Sequence, residues 1–148
     1  MKTIIFRHRR ENLKKCSLRG LETHPDLLFY TYPTDSLPDC TGYILLKMGA
    51  PPLTIDDHGK GLLLLDGTWR LAKIMEKQLP CHLENKSLPS IYQTAYPRRQ
   101  SDCPDPAKGL ASVEALYIAH QILGKKTEGL LEHYLWKDQF LITLLKVL

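Results

Sequence analysis

Four consecutive residues, Asp66-Gly67-Thr68-Trp69, set a carboxylate, a turn, a hydroxyl and an indole directly after an aliphatic run. A carboxylate between a strand end and a helix N-terminus is placed to bind a positive or polar group. A Trp in the first helical turn offers a flat apolar wall of about 150 to 250 Å². The structural alternative for the same residues is that Asp66 forms the turn and Trp69 plugs the core. A second group is basic. Residues 1 to 20 hold seven Lys or Arg, among them Arg9, Arg10, Lys14 and Lys15, against the single acid Glu11. Arg98 and Arg99 follow Tyr92 and Tyr96 later in the chain. Cations interleaved with aromatic rings suit a polyanion path, and a solvated charged face is the alternative. A third group is Ser112 and Glu114, a helix cap and an acid suited to the helix dipole.

Metal chemistry finds little support in the sequence. The four cysteines, Cys16, Cys40, Cys81 and Cys103, form no CxxC pair, and the six histidines form no HExxH. The expectation is free thiols and no metal.

The elements around these groups read as alternating strands and helices. Strands are expected over residues 3–8, 27–32, 41–48, 61–66 and 90–95. Gly61-Leu-Leu-Leu-Leu-Asp66 is the clearest, a continuous apolar run of the kind found in strands covered on both faces. Helices are expected from Trp69 to about Gln78 with Thr68 as cap, and from Ser112 to a stop at Gly124. Two more are expected over 126–136 and 139–148. Thr54 can cap a short helical turn. Residues 96–109, with three prolines and both arginines, form a long loop of the kind that carries function. Such an alternation argues for an α/β fold with a mainly parallel sheet, whose ligands bind at the carboxyl ends of the strands. The ends after Met48, Leu65 and Ala95 then share one rim.

With 148 residues, 43% hydrophobic and 24% charged, the chain is suited to one domain with a core. No apolar run reaches the roughly 18 residues of a membrane span, and the N-terminal residues lack the apolar region of a secretory signal. The expected location is the cytoplasm.

The signature Asp66-Gly67-Thr68-Trp69 resembles the "DTW" or "DCSW" motif of the RNA 3-amino-3-carboxypropyltransferases. This superfamily joins the DTW-domain tRNA-uridine enzymes to the archaeal and eukaryotic ribosome-biogenesis enzymes acting on small-subunit rRNA. Further segments follow in the same order. Lys14-Lys15-Cys16-Ser17-Leu18-Arg19-Gly20-Leu21 is similar to PKKC[ST]G-basic-L. Residues 42–49 resemble G-x-x-L-S-P-x-G, and Thr54-Ile55-Asp56-Asp57 an S-P-x-D turn. Residues 88–97 resemble L-P…A-N-P. Leu110-Ala111-Ser112-Val113-Glu114-Ala115 is close to L-S-[ST]-V-E-A, and residues 131–141 are similar to LL-x-x-[FY]-x-W-x-x-x-FL. The N-terminal half is nearer the rRNA branch. Glu11-Asn12-Leu13 departs from that branch's C-D-P, Lys47 from a proline and Tyr96 from an asparagine.

The resemblance implies a SPOUT-like α/β fold, with a mainly parallel sheet, a C-terminal trefoil knot and a small N-terminal α/β lobe. The lobe would span 1–60 and the cofactor-binding region 61–148, together one compact unit. It implies transfer of a 3-amino-3-carboxypropyl group from S-adenosylmethionine (SAM) to N3 of a uridine or pseudouridine in rRNA or tRNA, releasing methylthioadenosine. Asp66 would hold the α-amino group of the methionine moiety or help take the N3 proton, and Trp69 would wall off the methyl end. The helix start at Ala111 and Ser112 would face the carboxylate. Leu45, Ile91 and Leu110 would line the adenine pocket, and Ser17 would reach the cofactor from the N-terminal lobe. Arg9, Arg10, Lys14, Lys15, Arg98 and Arg99 would meet the RNA. A SPOUT methyltransferase and a non-enzymatic RNA-binding or ribosome-assembly factor are the alternatives.

Overall fold

The computed structural model describes residues 1–147 except Lys15, Cys81 and 97–108. The expectations for Lys15, Arg98 and Arg99 therefore lie outside the described residues. Five strands, β1 (Thr3–His8), β2 (Leu27–Tyr32), β3 (Tyr43–Leu46), β4 (Gly61–Asp66) and β5 (Glu84–Lys86), form one sheet in the order β2-β1-β4-β3-β5. Every pairing is parallel. With helices α1 (Trp69–Glu76), α2 (Ser112–Ile122) and α3 (Lys137–Leu145), this is the α/β class expected. Because β4 lies between β1 and β3, a division at residue 60 cuts through a single sheet.

The four leucines of β4 show how the sheet is held. Strand side chains alternate between faces. Leu62 and Leu64 enter one core with Ile5, Cys16, Leu18, Val113, Leu116 and Phe140, while Leu63 enters a second with Ile4, Phe6, Leu45 and Met75, where Leu65 packs at the margin. Burying each such side chain contributes about 1.5–3 kcal/mol. The first core lies under α2 and the segment joining β1 to β2, and the second lies under α1. Gly61 permits the close pairing of β3 and β4, since a Cβ there would stand 2.6 Å from the Tyr43 ring.

The helix boundaries have local causes. The Thr68 hydroxyl accepts from Leu71 N at 3.4 Å and starts α1. Thr54 caps a short 3-10 helix over Ile55–Asp57, as expected. Gly124, at φ +71°, ends α2. There Lys125 N bonds to His120 O and Gly124 N to Gln121 O, a pair that satisfies the last carbonyls.

Three expectations are corrected. No strand covers 90–95. The Ala95 amide donates instead to a buried carboxylate, Glu114, at 2.8 Å, which removes it from any ladder. The fifth strand is Glu84–Lys86, a three-residue, mostly exposed edge whose polar composition gives no hydrophobic pattern. Residues 126–136 form successive turns around Gly129 (φ +76°) rather than a helix, and α3 starts at Lys137.

Candidate active site

Arg7 and Asp66 are register partners at the carboxyl ends of the two central strands, β1 and β4. Both are in phase with residues of the first core, Ile5 and Leu64, so their charged groups are carried onto the α2 face. Asp66 is only 2% exposed. Its Oδ2 accepts from Arg7 Nε at 2.8 Å and from Cys16 Sγ at 3.3 Å. Its Oδ1 has longer contacts, to Ser112 Oγ at 3.4 Å and Cys16 Sγ at 3.6 Å. Arg7 also donates from Nη1 to Glu22 Oε1 at 3.2 Å and from Nη2 to Cys16 Sγ at 3.6 Å, and its guanidinium lies 4.8 Å from the centre of the Phe29 ring.

The network sets the charge states around it. Burial, and then the Asp66 carboxylate, push the Cys16 thiol up to about 12, so it stays protonated and donates. Burial opposes the charge on Arg7, but its bond to Asp66 and the neighbouring negative groups raise its pKa overall. Glu11, in the turn after β1, lies beside them. Its carboxyl is pushed up to about 7 by burial first and by Asp66 second, with Arg7 opposing. Donor atoms of Glu11, Cys16 and Asp66 lie within 4.8 Å of one another. Arg7 already neutralises Asp66 there, and a dication would have to sit against that guanidinium.

The start of α2 completes the site, and here the cap is not the expected one. Ser112 is the first helical residue and the cap position is Ala111, which has no hydroxyl. The hydroxyl comes from Ser17 in the distant β1–β2 segment, which accepts from Val113 N at 3.0 Å. The Ser112 side chain is thereby left to donate to Asp66. Glu114, fully buried, accepts from Ala111 N, Ala95 N, the Thr94 hydroxyl and the Tyr134 hydroxyl at 2.5–3.0 Å. It thus ties the helix start to the 88–96 segment and to the chain just before α3.

Of the expected site residues, the fold brings together Asp66, Ser17, Ala111 and Ser112. Trp69 opens α1, where its ring is approached by Lys73 at 4.9 Å and Arg70 at 5.7 Å. Leu45 and Leu110 do not share a wall of side chains, because Leu45 faces the α1 core and Leu110 packs on the α2 core. Ile91 is 59% exposed. Arg9, Arg10 and Lys14 are exposed close to the site in sequence, on the segment that also carries Glu11 and Cys16. Sequence reading missed Arg7, Glu11, Cys16 and Glu22. For Arg7 the sequence offers only its phase with Thr3 and Ile5; that every residue of the strand is buried is seen in the fold.

No protein-family profile matches the sequence, and neither does any curated protein. The fold is similar to that of a solved structure, the SAM-dependent rRNA:acp-transferase Tsr3 from Vulcanisaeta distributa, with a TM-score of 0.73. The similarity extends over 99% of this chain and 81% of that one at 24% identity, and what it shows is a shared fold.

Proposed function

We propose that the chain transfers the 3-amino-3-carboxypropyl group of SAM to N3 of a uridine or pseudouridine in rRNA, in the cytoplasm, with a C-terminal trefoil knot in its fold. The observation that supports this most is a convergence. Three segments that resemble the aminocarboxypropyltransferase motifs, 14–21, 66–69 and 110–115, lie far apart in the chain yet meet at Asp66. Cys16 and Ser112 bond to that carboxylate, and Ser17 bonds to Val113. The fold shared with an rRNA:acp-transferase supports the same reading.

The residues present fit the cofactor's polar end. Asp66 Oδ1, whose own contacts are long, is the oxygen suited to an ammonium. Among the amides at the start of α2, those of Ala111 and Val113 are taken by Glu114 and Ser17, and the Ser112 amide is a donor left for a carboxylate. Trp69 would exclude water from an apolar wall, and backbone groups near Leu45, Ile91 and Leu110 would hold the base. SAM, when bound, supplies a sulfonium with three attached carbons, so the group transferred is decided by which carbon faces the nucleophile. Arg9, Arg10, Lys14, Lys15, Arg98 and Arg99 would bind RNA phosphates.

The test is product analysis. Incubation with SAM and small-subunit rRNA from cells lacking the protein should release methylthioadenosine and add the aminocarboxypropyl mass to one nucleoside. Release of S-adenosylhomocysteine would mean methyl transfer, and absence of SAM uptake by calorimetry would mean a binding protein. Either outcome would overturn the proposal.

A further inference from the structure

Deprotonating the uridine N3 requires a base, and Asp66 is poorly placed to be one. It is buried, bonded to Arg7 and Cys16 through one oxygen, and in contact with Ser112 through the other. Glu11 differs on each count. It is half-buried rather than sealed. Among the described residues, its carboxylate has no hydrogen bond or ion pair. It is held at the site by its backbone, with Glu11 N donating to His8 O at 2.9 Å in the turn that leaves β1. Its side chain reaches across to the turn after β4, since a Cβ added to Gly67 would lie 3.9 Å from Glu11 Oε2. It also shares its segment with Arg9, Arg10 and Lys14, whose exposed charges suit RNA phosphates.

We propose that Glu11 is the general base of the transfer, placed by the β1 turn at the open edge of the Arg7–Asp66–Cys16 network to take the N3 proton of the target uridine. The proposal rests on the function proposed above. The N3–H bond breaks and its proton passes to a Glu11 carboxylate oxygen. The electron pair left on N3 forms the new N–C bond, while the C–S bonding pair leaves on sulfur as neutral methylthioadenosine. The protonated carboxyl then gives its proton to water.

The surroundings favour this role. The titratable groups facing Glu11 are Asp66 from β4, Arg7 from β1 and Cys16 from the β1–β2 segment. Burial and the Asp66 charge outweigh Arg7 and bring the Glu11 carboxyl to about 7, near the pH at which a base combines availability with strength.

Two measurements test the assignment. The first needs neither cofactor nor RNA: carbon-13 NMR of labelled glutamate carboxyls, with Glu11→Gln to assign the signal. A Glu11 midpoint near 7 is expected, and one in the ordinary carboxyl range would overturn the proposal. The second compares wild type, Glu11→Gln and Glu11→Asp with SAM and small-subunit rRNA. Glu11→Gln should lower kcat about 100-fold or more at neutral pH. Its rate should keep rising with hydroxide where the wild-type rate has levelled, its SAM affinity by calorimetry should be unchanged, and Glu11→Asp should restore part of the rate. A Glu11→Gln protein with wild-type rate and pH profile would overturn the role of Glu11 and leave the transferase standing. A wild-type protein that releases no methylthioadenosine would overturn both.

Discussion

The hydroxyl of Ser17 accepts a hydrogen bond from the backbone N–H of Val113, a residue 96 positions further along the chain. The α2 helix is therefore capped by the segment that joins β1 to β2. Docking of that segment and capping of the helix are thereby coupled, and Cys16 and Ser112 meet on Asp66 beside the same contact. The N-terminal and C-terminal parts of the site therefore support each other.

Ser17→Ala should cost about 0.5–2 kcal/mol, the range for losing a helix cap. Ser112→Ala should cost less, since its hydroxyl makes a 3.4 Å contact with Asp66 and caps nothing. Urea denaturation of the two variants checks the order. A larger loss for Ser112→Ala would mean the cap has been assigned to the wrong serine.

Arg7→Ala should be among the most damaging substitutions in the chain. It leaves Asp66 buried without its counter-charge, a change that typically costs about 3–5 kcal/mol. The double variant Arg7→Met with Asp66→Leu should recover most of that loss, because a buried ion pair and an apolar pair of similar volume are often close in stability. A double-mutant cycle by denaturation measures the recovery. Simple additivity of the two losses would show that the pair does not act as a unit.

How legible this architecture is in the sequence depends on the kind of interaction. β1, β2 and β4 are readable because each contains a run of consecutive apolar residues, 4–6, 27–30 and 62–65, and the boundaries expected for them are the ones observed. β5 is not, because an exposed three-residue edge needs only backbone pairing and leaves Glu84-Asn85-Lys86 without a pattern. Asp66 is legible from its place between an aliphatic run and a helix start. Arg7, Cys16 and Glu22 are not, because their significance is an ion pair and a thiol contact closed across loops. Glu114 reads as a helix-dipole acid, and only the fold shows it collecting donors from three separate segments.

Cys16 should resist alkylation in the folded protein. Its thiol is raised to about 12 by burial and Asp66, so almost no thiolate exists at pH 8. Because the folded value exceeds the unfolded one, the folded state holds this proton more tightly, and stability is lost as pH rises from about 9 towards 12. Mass spectrometry after iodoacetamide treatment, with and without urea, should show Cys16 modified only on unfolding. Rapid labelling in the native state would contradict the geometry.

One buried and one half-buried group should tilt stability in opposite directions near neutrality. His120 donates from Nδ1 to Lys126 O at 2.8 Å, which leaves Nε2 to accept from the Thr3 hydroxyl at 2.8 Å. Burial lowers its pKa, so its contribution is present above the unfolded value of about 6.5 and is lost as pH falls towards the folded one. Glu11 has a raised pKa, so its contribution is present below its unfolded value and is lost as pH climbs towards about 7. Melting temperatures from pH 4 to 8 should show Glu11→Gln gaining on wild type at the alkaline end. His120→Gln should lose less than wild type between neutral pH and pH 5.

The last expectation concerns the exposed charges on the segment that carries Glu11 and Cys16. If the proposed substrate is right, Arg9, Arg10 and Lys14 neutralise phosphates, and each phosphate so neutralised releases counterions on binding. The triple variant Arg9→Ala, Arg10→Ala, Lys14→Ala should therefore bind rRNA more weakly. The slope of log affinity against log salt should fall in magnitude by about 0.7–0.9 for every phosphate no longer neutralised. Its SAM affinity should remain at the wild-type level, because none of the three enters the hydrogen-bond network around Asp66. Filter binding across a salt series and calorimetry with SAM measure the two quantities separately. An unchanged slope would remove these residues from the RNA path. Equal weakening of both ligands would mean that the segment's docking onto α2, rather than its charge, had been disturbed.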